Sequence, residues 1–419
     1  MFKIVRIPRQ LESFFMPLEG YFHWDHFSYF RMLVLVMAIA WGRHNISALY
    51  RHVDNRQVAH RTRFNNFLNV SRFDAQAALE QKVYELLLYL RLKKGATIYF
   101  IIDDSKKSKR GRKMDGVGKM KDPVTGAYIR GHQYVQAILY VNGYTIPFGI
   151  RLYVPKDQCE QVGVLFQKTT QLAAELIRAF QAPEGIHVKV LFDSYYLCKN
   201  VVKACREKGY RFVSTLKGNR NLFKNGRKLK AGKYGNNYYH RHTKQHLSVQ
   251  KEQGQVTYSY VDAGTLDVSD LGSLHVVFSK RGKEKQILGI VTDDKTLTPE
   301  QIIQIYGYRW TIEVFFKDTK QLLGLGQYQN VSYKAAVTHL HLVCFAYALL
   351  THLRIQRDSE KGKRKKSKAE RVSTATLQND LRRVVWNDLV TYLNEEVLTQ
   401  HEEPSADTII QELDYLLAV

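Results

Sequence analysis

Two apolar runs that end in acid constrain this chain more than any other feature. "ATIYFIIDDS" (96–105) and "IHVKVLFDS" (186–194) are continuous and rich in β-branched residues. Such runs suit strands covered on both faces, as in the middle of an α/β sheet. Between them, "HQYVQAILYV" and "YTIPFGIRLYV" flank Asn142-Gly143. That dipeptide favours a type I′ turn, so an antiparallel hairpin is expected. "CEQVGVLFQKTTQLAAELIRAFQA" and "YYLCKNVVKACREKGY" read as helices, and "RFVSTLKG" as another strand. The alternation predicts an α/β fold with a mixed sheet.

A chain of 419 residues exceeds one compact core and divides into two to four units. Residues 1–94 read as helical. "DHFSYFRMLVLVMAIAWG" stops at Gly42, "NISALYRHV" is a short helix capped by Asn45 or Ser47, and "AQAALEQKVYELLLYLRLKKG" is amphipathic. Arg56, Arg61, Arg63 and Arg72 lie among the apolar anchors between them. Short basic helices in series are what a helix-turn-helix-like DNA-binding domain offers; a helical subdomain with a solvated basic face is the other reading. Residues 95–218 hold the first part of the α/β core. Within them "KKSKRGRKMDGVGKMKDPVTG" reads as a basic loop. Its "GVGK" is no phosphate loop, because Lys113 stands where a Gly is needed and Met120 where Ser or Thr is needed. Residues 219–292 read as a β-rich insertion. Residues 293–355 contain the helix "TPEQIIQIYGYRWTIEVFFKDTKQLLGL", starting at Thr298 or Pro299, and a buried helix in "KAAVTHLHLVCFAYALLTHLRI". Residues 356–419 combine a solvated basic segment, "EKGKRKKSKAER", with a short helical C-terminal region.

Sixty-three Lys and Arg against 39 Asp and Glu leave a formal charge of +24. Self-repulsion on that scale is usually offset by a polyanionic partner, here nucleic acid. The four cysteines, Cys159, Cys198, Cys205 and Cys344, lack the spacing of a zinc site or a disulfide framework, which fits a reducing cytoplasm. No signal peptide is apparent at the N-terminus. The apolar run from Met32 to Trp41 is too short to span a bilayer, so no membrane partner is expected.

"IYGYRWTIEVFFKDTKQ" (305–321) carries the most informative pattern. At about 100° per residue, Tyr306, Arg309, Glu313, Lys317 and Lys320 fall within a stripe about 80° wide. Ile305, Trp310, Ile312, Val314, Phe315 and Phe316 cover most of the rest. Charge so enclosed needs a partner, so the stripe is expected to line a cleft; a surface ion pair between Arg309 and Glu313 is the simpler alternative. Asp103 or Asp104, together with Asp193, would stand at neighbouring strand ends, where α/β sheets commonly place chemistry. Taken singly, each is an ordinary strand-end cap. With Glu313 they form an all-oxygen donor set whose mutual repulsion calls for Mg²⁺ or Mn²⁺. Two such ions serve phosphoryl displacement, and Arg309 and Lys320 would contact phosphates.

The spacing Tyr306, two residues, Arg309, three residues, Glu313, six residues, Lys320, with Trp310 after the Arg, resembles the Tyr-Arg-Glu-Lys signature of DDE transposases of the insertion-sequence-four superfamily. The order strand-Asp, hairpin, helix, strand-Asp, β-rich insertion, helix-Glu extends the likeness over roughly residues 95–355. The resemblance implies an RNase H-like catalytic core interrupted by the insertion. Asp103, Asp193 and Glu313 would form the metal-binding catalytic triad, with two Mg²⁺ or Mn²⁺ ions. Tyr306, Arg309 and Lys320 would grip DNA near the cleaved end. "FIIDDS" fits the family pattern of Asp, any residue, Ser with Asp103 and Ser105, which favours Asp103 over Asp104. The implied activity is cut-and-paste transposition in the cytoplasm of a bacterium, at the nucleoid. Its partners would be double-stranded DNA, both element ends and target, with a homodimer in the DNA complex. A nuclease or resolvase without strand transfer, or a non-catalytic DNA-binding descendant, are the alternatives. One departure concerns the insertion, which has no Trp to hold a flipped base; Tyr234, Tyr238, Tyr239, Tyr258 and Tyr260 are the candidates for that role.

Overall fold

A computed structural model describes residues 2–417 except 112, 123–124, 252–253, 363–371 and 401–405. Most of the basic segment read at 360–371 lies outside the described residues. The N-terminal helices are α1 (Glu12–Phe15), α2 (Trp24–Ile39), α3 (Ile46–Tyr50), α4 (Thr62–Val70) and α5 (Ala75–Tyr89). Asn45 caps α3 by accepting from the Ala48 amide at 2.9 Å, and Asp74 caps α5 through the Gln76 and Ala77 amides. Residues 33–40, apolar all round, are fully buried, whereas Trp41 is exposed.

Five strands follow: β1 (Thr97–Ser108), β2 (Gly118–Lys121), β3 (Tyr128–Val141), β4 (Tyr144–Tyr153) and β5 (His187–Phe192). Phe100, Ile101 and Ile102 are all 0% exposed, so both faces of β1 are covered. Asn142 and Gly143 both take positive φ, 50° and 82°, as a type I′ turn requires. The basic stretch after Asp104 is not simply a loop. Strand β1 runs on through Lys106 and Lys107 to Ser108, and β2 returns along β3. The stretch read as one helix at 159–182 is two, α6 (Cys159–Val162) and α7 (Thr169–Ala179), because Gly163 turns the chain with φ 74°. Helix α8 (Lys199–Glu207) starts later than "YYLCKNVV" implied. The Asp193 carboxylate accepts from the Tyr195 and Tyr196 amides at 2.9 and 3.3 Å and holds that segment in a turn.

Strand β6 (Arg211–Leu216) leads into a region rich in strands: β7 (Asn221–Lys224), β8 (Arg227–Lys230), β9 (Gln245–Lys251), β10 (Gly254–Val268), β11 (Gly272–Arg281) and β12 (Leu288–Thr292). It also holds a helix the sequence reading missed, α9 (Ala231–Arg241). Among the described residues one mixed sheet of 12 strands results, in the order β2-β3-β1-β5-β6-β12-β11-β10-β7-β8, with β4 beside β3 and β9 beside β10. Strand β1 pairs antiparallel with β3 and parallel with β5, and β5 is parallel to β6.

The expected long helix at 298–325 is also two, α10 (Pro299–Gly307) and α11 (Trp310–Leu322). Thr298 and Gln301 form a capping box at the start of α10, with Pro299 at its first position. Between the two helices the amides of Tyr308, Arg309, Thr311 and Ile312 each bond three residues back, which tightens the chain there. Helices α12 (Tyr333–Gly362), α13 (Thr374–Gln400) and α14 (Ala406–Leu417) complete the chain, so the C-terminal region is longer than read. Helix α12 alone among the described helices is long and apolar enough to cross a membrane by length and composition, yet 89% of its apolar window is buried inside the protein. It packs on β4, α2 and α5, and one apolar core joins the N-terminal helices to the sheet. Burial of each large aliphatic or aromatic side chain there contributes about 1.5–3 kcal/mol.

Candidate functional site

The parallel register of β1 and β5 fixes the first two carboxylates. Ile101 pairs with Leu191. Two residues further, Asp103 continues β1 and Asp193 directly follows the end of β5, near enough for its charge to act on Asp103. Helix α11 supplies the rest. Arg309 donates from Nη1 to Asp103 Oδ2 at 3.1 Å and from Nη2 to Glu313 Oε1, so one guanidinium bridges two carboxylates. The side chains of Asp103, Arg309 and Glu313 are 21%, 16% and 34% exposed, a site at the edge of the core rather than a solvated surface pair. The ion pair between Arg309 and Glu313 thus exists, but Asp103 makes it a triad of charges across two elements.

Burial pushes Asp103 up to about 7; Arg309 opposes that shift, and the negative charge of Asp193 adds to it. Arg309 is held above its ordinary value. Burial works against its charge, but Tyr306, Glu313 and Asp103 together outweigh burial. Asp104 points to the other face of β1. It accepts from Gln133 Nε2 at 2.7 Å and Tyr196 OH at 3.1 Å, and burial raises it too. Gln133 and Tyr196 were not singled out from the sequence. The "DSYY" turn was the available signal for Tyr196.

Tyr306 is half-buried. Its hydroxyl donates to Thr215 Oγ1 at 3.4 Å, and its ring lies 5.8 Å from the Arg309 guanidinium. Lys320 lies in the last turn of α11, away from the carboxylates. The apolar wall expected around the stripe is incomplete. Ile305, Ile312, Phe315 and Phe316 are buried, whereas Trp310 is 58% exposed, because the tightened turn ahead of α11 breaks the single wheel. Of the insertion tyrosines, Tyr239 and Tyr260 are buried, and Tyr238 stacks on His242 at 3.8 Å. A cavity of about 620 Å³ opens at the opposite ends of β1, β5 and β6, by Thr97, His187 and Arg211, far from the acids.

Asp103, Asp193 and Glu313 offer only hard oxygen donors, which suits Mg²⁺ or Mn²⁺. Among the described residues, however, no three His, Cys, Asp or Glu side chains stand close enough to share an ion. The charge of Asp193 reaches Asp103, and Glu313 is paired with Arg309. The donor chemistry fits a divalent cation, and in this structure Arg309 holds Glu313.

Residues 167–349 match the family model described as a transposase DDE domain. That segment includes Asp193, Tyr306, Arg309, Glu313 and Lys320, and starts beyond Asp103. Over 299 residues the chain is 26% identical to a probable transposase for insertion sequence element IS701 from Microchaete diplosiphon, covering 67% of this chain and 70% of that protein. Both similarities support an insertion-sequence transposase of the DDE class.

Proposed function

We propose that this chain is the DNA transposase of an insertion sequence. In this reading it binds the terminal inverted repeats, cleaves the element ends and transfers the 3′-hydroxyl ends to target DNA. The observation that carries the reading is Asp103 on β1, within reach of the charge of Asp193 just after the adjacent β5, with Glu313 on a helix tied to Asp103 through Arg309. The element order supports an RNase H-like core of the insertion-sequence-four type: Asp103 on β1, a hairpin, a helix, Asp193 after β5, a strand-rich region, then Glu313 on α11. Asp103 is the preferred first acid, because Asp104 is already engaged by Gln133 and Tyr196 on the opposite face.

Asp103, Asp193 and Glu313 would hold two Mg²⁺ or Mn²⁺ ions, which supply activation of water or a 3′-hydroxyl and stabilisation of the leaving oxygen. The protein's own groups bind and orient the DNA. Arg309 presents a planar donor fork that suits a phosphate as well as it suits a carboxylate. Tyr306, near the end of α10, and Lys320, in the last turn of α11, add a hydroxyl and an ammonium. Residues 1–94 would serve as the helical DNA-binding domain, with a homodimer joining two ends.

The test is incubation with DNA carrying the inverted repeats that flank the gene, plus Mg²⁺. Cleavage at the repeat termini is expected, and its loss in Asp193→Ala and Glu313→Ala with DNA binding retained. Unchanged cleavage in Glu313→Ala would sink the assignment of the triad. Cleavage without joined products would favour the nuclease alternative.

A further inference from the structure

Strand β1 and helix α11 run as two rails away from the carboxylates. At one end Asp103 and Glu313 share Arg309. At the other end stand Lys107, four residues along β1, and Lys320, seven residues along α11. Those intervals are about 13 Å of strand and about 10 Å of helix. Positions four apart on a strand share a face, so Lys107 lies on the face of Asp103. The loop after α11 confirms that side. A Cβ at Gly326 would lie 2.9 Å from Lys107 Cγ, so the lysine stem crosses that glycine. Gly326 and Tyr328 in the same loop hold Lys109 through their carbonyls, at 2.8 and 2.7 Å, and the Tyr328 ring lies 3.4 Å from its ammonium. Lys109 is thereby committed to fixing the loop, whereas Lys107 and Lys320 both stay partly exposed.

No described carboxylate pairs with Lys107 or Lys320. Lys320 is pushed down by burial and then by the charge of Lys107, with no acid opposing either. Two partly buried ammonium groups whose charges reach one another repel unless an anion lies between them.

We propose that Lys107 and Lys320 together form a second DNA-phosphate site, which receives the backbone of the same duplex that places a phosphate at Asp103. At about 3.4 Å of axis per nucleotide, the separation corresponds to roughly three to four nucleotides. The site rests on the transposase reading and extends it by a residue, Lys107, that the Tyr-Arg-Glu-Lys spacing does not include.

The experiment is fluorescence anisotropy of the full chain with a labelled duplex of arbitrary sequence, over a series of salt concentrations, for the unaltered protein, Lys107→Ala and Lys107→Arg. Lys107→Ala should lower the slope of log affinity against log salt by about 0.9, the value for one phosphate. Lys107→Arg should restore it. The Ala variant should melt at the same temperature or higher, since a like-charge contact is relieved. An unaltered salt slope in Lys107→Ala, with binding by the unaltered protein intact, would overturn this site alone. A melting temperature lowered by several degrees would mark Lys107 as a structural strut and overturn it as well. Failure of the unaltered protein to bind duplex DNA would overturn the function and the site together.

Discussion

Replacing Asp103 with Asn should flatten the dependence of stability on pH between 5 and 8. Burial raises the folded-state pKa of Asp103 from 3.8 to about 7, so the folded chain binds this proton more tightly than the unfolded chain does. Stability from this group is therefore fully present below pH 3.8 and is lost as pH rises through 7. Linkage between those two values makes the loss about 2 kcal/mol at pH 5 and about 4 kcal/mol at pH 8. The change across the interval is about 2–3 kcal/mol. An unfolding entropy of about 2.1 cal/mol/K per residue over 419 residues makes that about 3 °C in melting temperature. The assay is thermal unfolding of the unaltered protein and Asp103→Asn at pH 5 and pH 8, in buffer with a metal chelator. The quantity read is a difference of differences, so a constant offset from the lost Arg309 contact cancels. The drop from pH 5 to pH 8 should be about 3 °C smaller in Asp103→Asn. An equal drop in both proteins would refute the argument that a buried carboxylate next to Asp193 is ionised against its environment.

Two further outcomes follow from the same cluster. Arg309→Leu leaves Asp103 and Glu313 without their shared cation. Between the extremes of a surface pair and a fully buried one, the loss should be about 2 kcal/mol of stability at pH 8, read by thermal unfolding, with weaker and less salt-dependent DNA binding. Adding Mn²⁺ at pH 8 should raise the melting temperature, by about 1–2 kcal/mol in stability at tenfold the dissociation constant. The gain should disappear in Asp193→Ala, and a full Mn²⁺ effect in that variant would remove Asp193 from the site.

Much of the architecture was legible because it rests on local rules. Alternating runs of buried β-branched residues specified strands, and Asn142-Gly143 specified a turn that needs two positive φ angles. Helix boundaries were less legible. The break between α10 and α11 carries no Pro, and both Tyr308 and Arg309 keep helical dihedrals. Only the local hydrogen-bond shift separates the two helices, and that shift exposes Trp310. The extension of β1 through Lys106 and Lys107 was hidden for a different reason. Its charged residues look like a loop, and pairing with β3 alone makes them a strand.

The composition of the site was legible in the residues themselves: three acids at strand ends and on a helix, and a Tyr, an Arg and a Lys at helical spacing. Residue type and periodicity are properties of the chain alone. Tertiary structure decided which acid faces which cation. The pairing of β1 with β5 brings the charge of Asp193 to Asp103. The packing of α11 against β1 gives Arg309 to Asp103 as well as to its helical neighbour Glu313, and the fold supplies Gln133 and Tyr196 to Asp104 on the opposite face. Those partnerships join residues up to 206 positions apart, and such contacts depend on how elements pack, which no local pattern encodes.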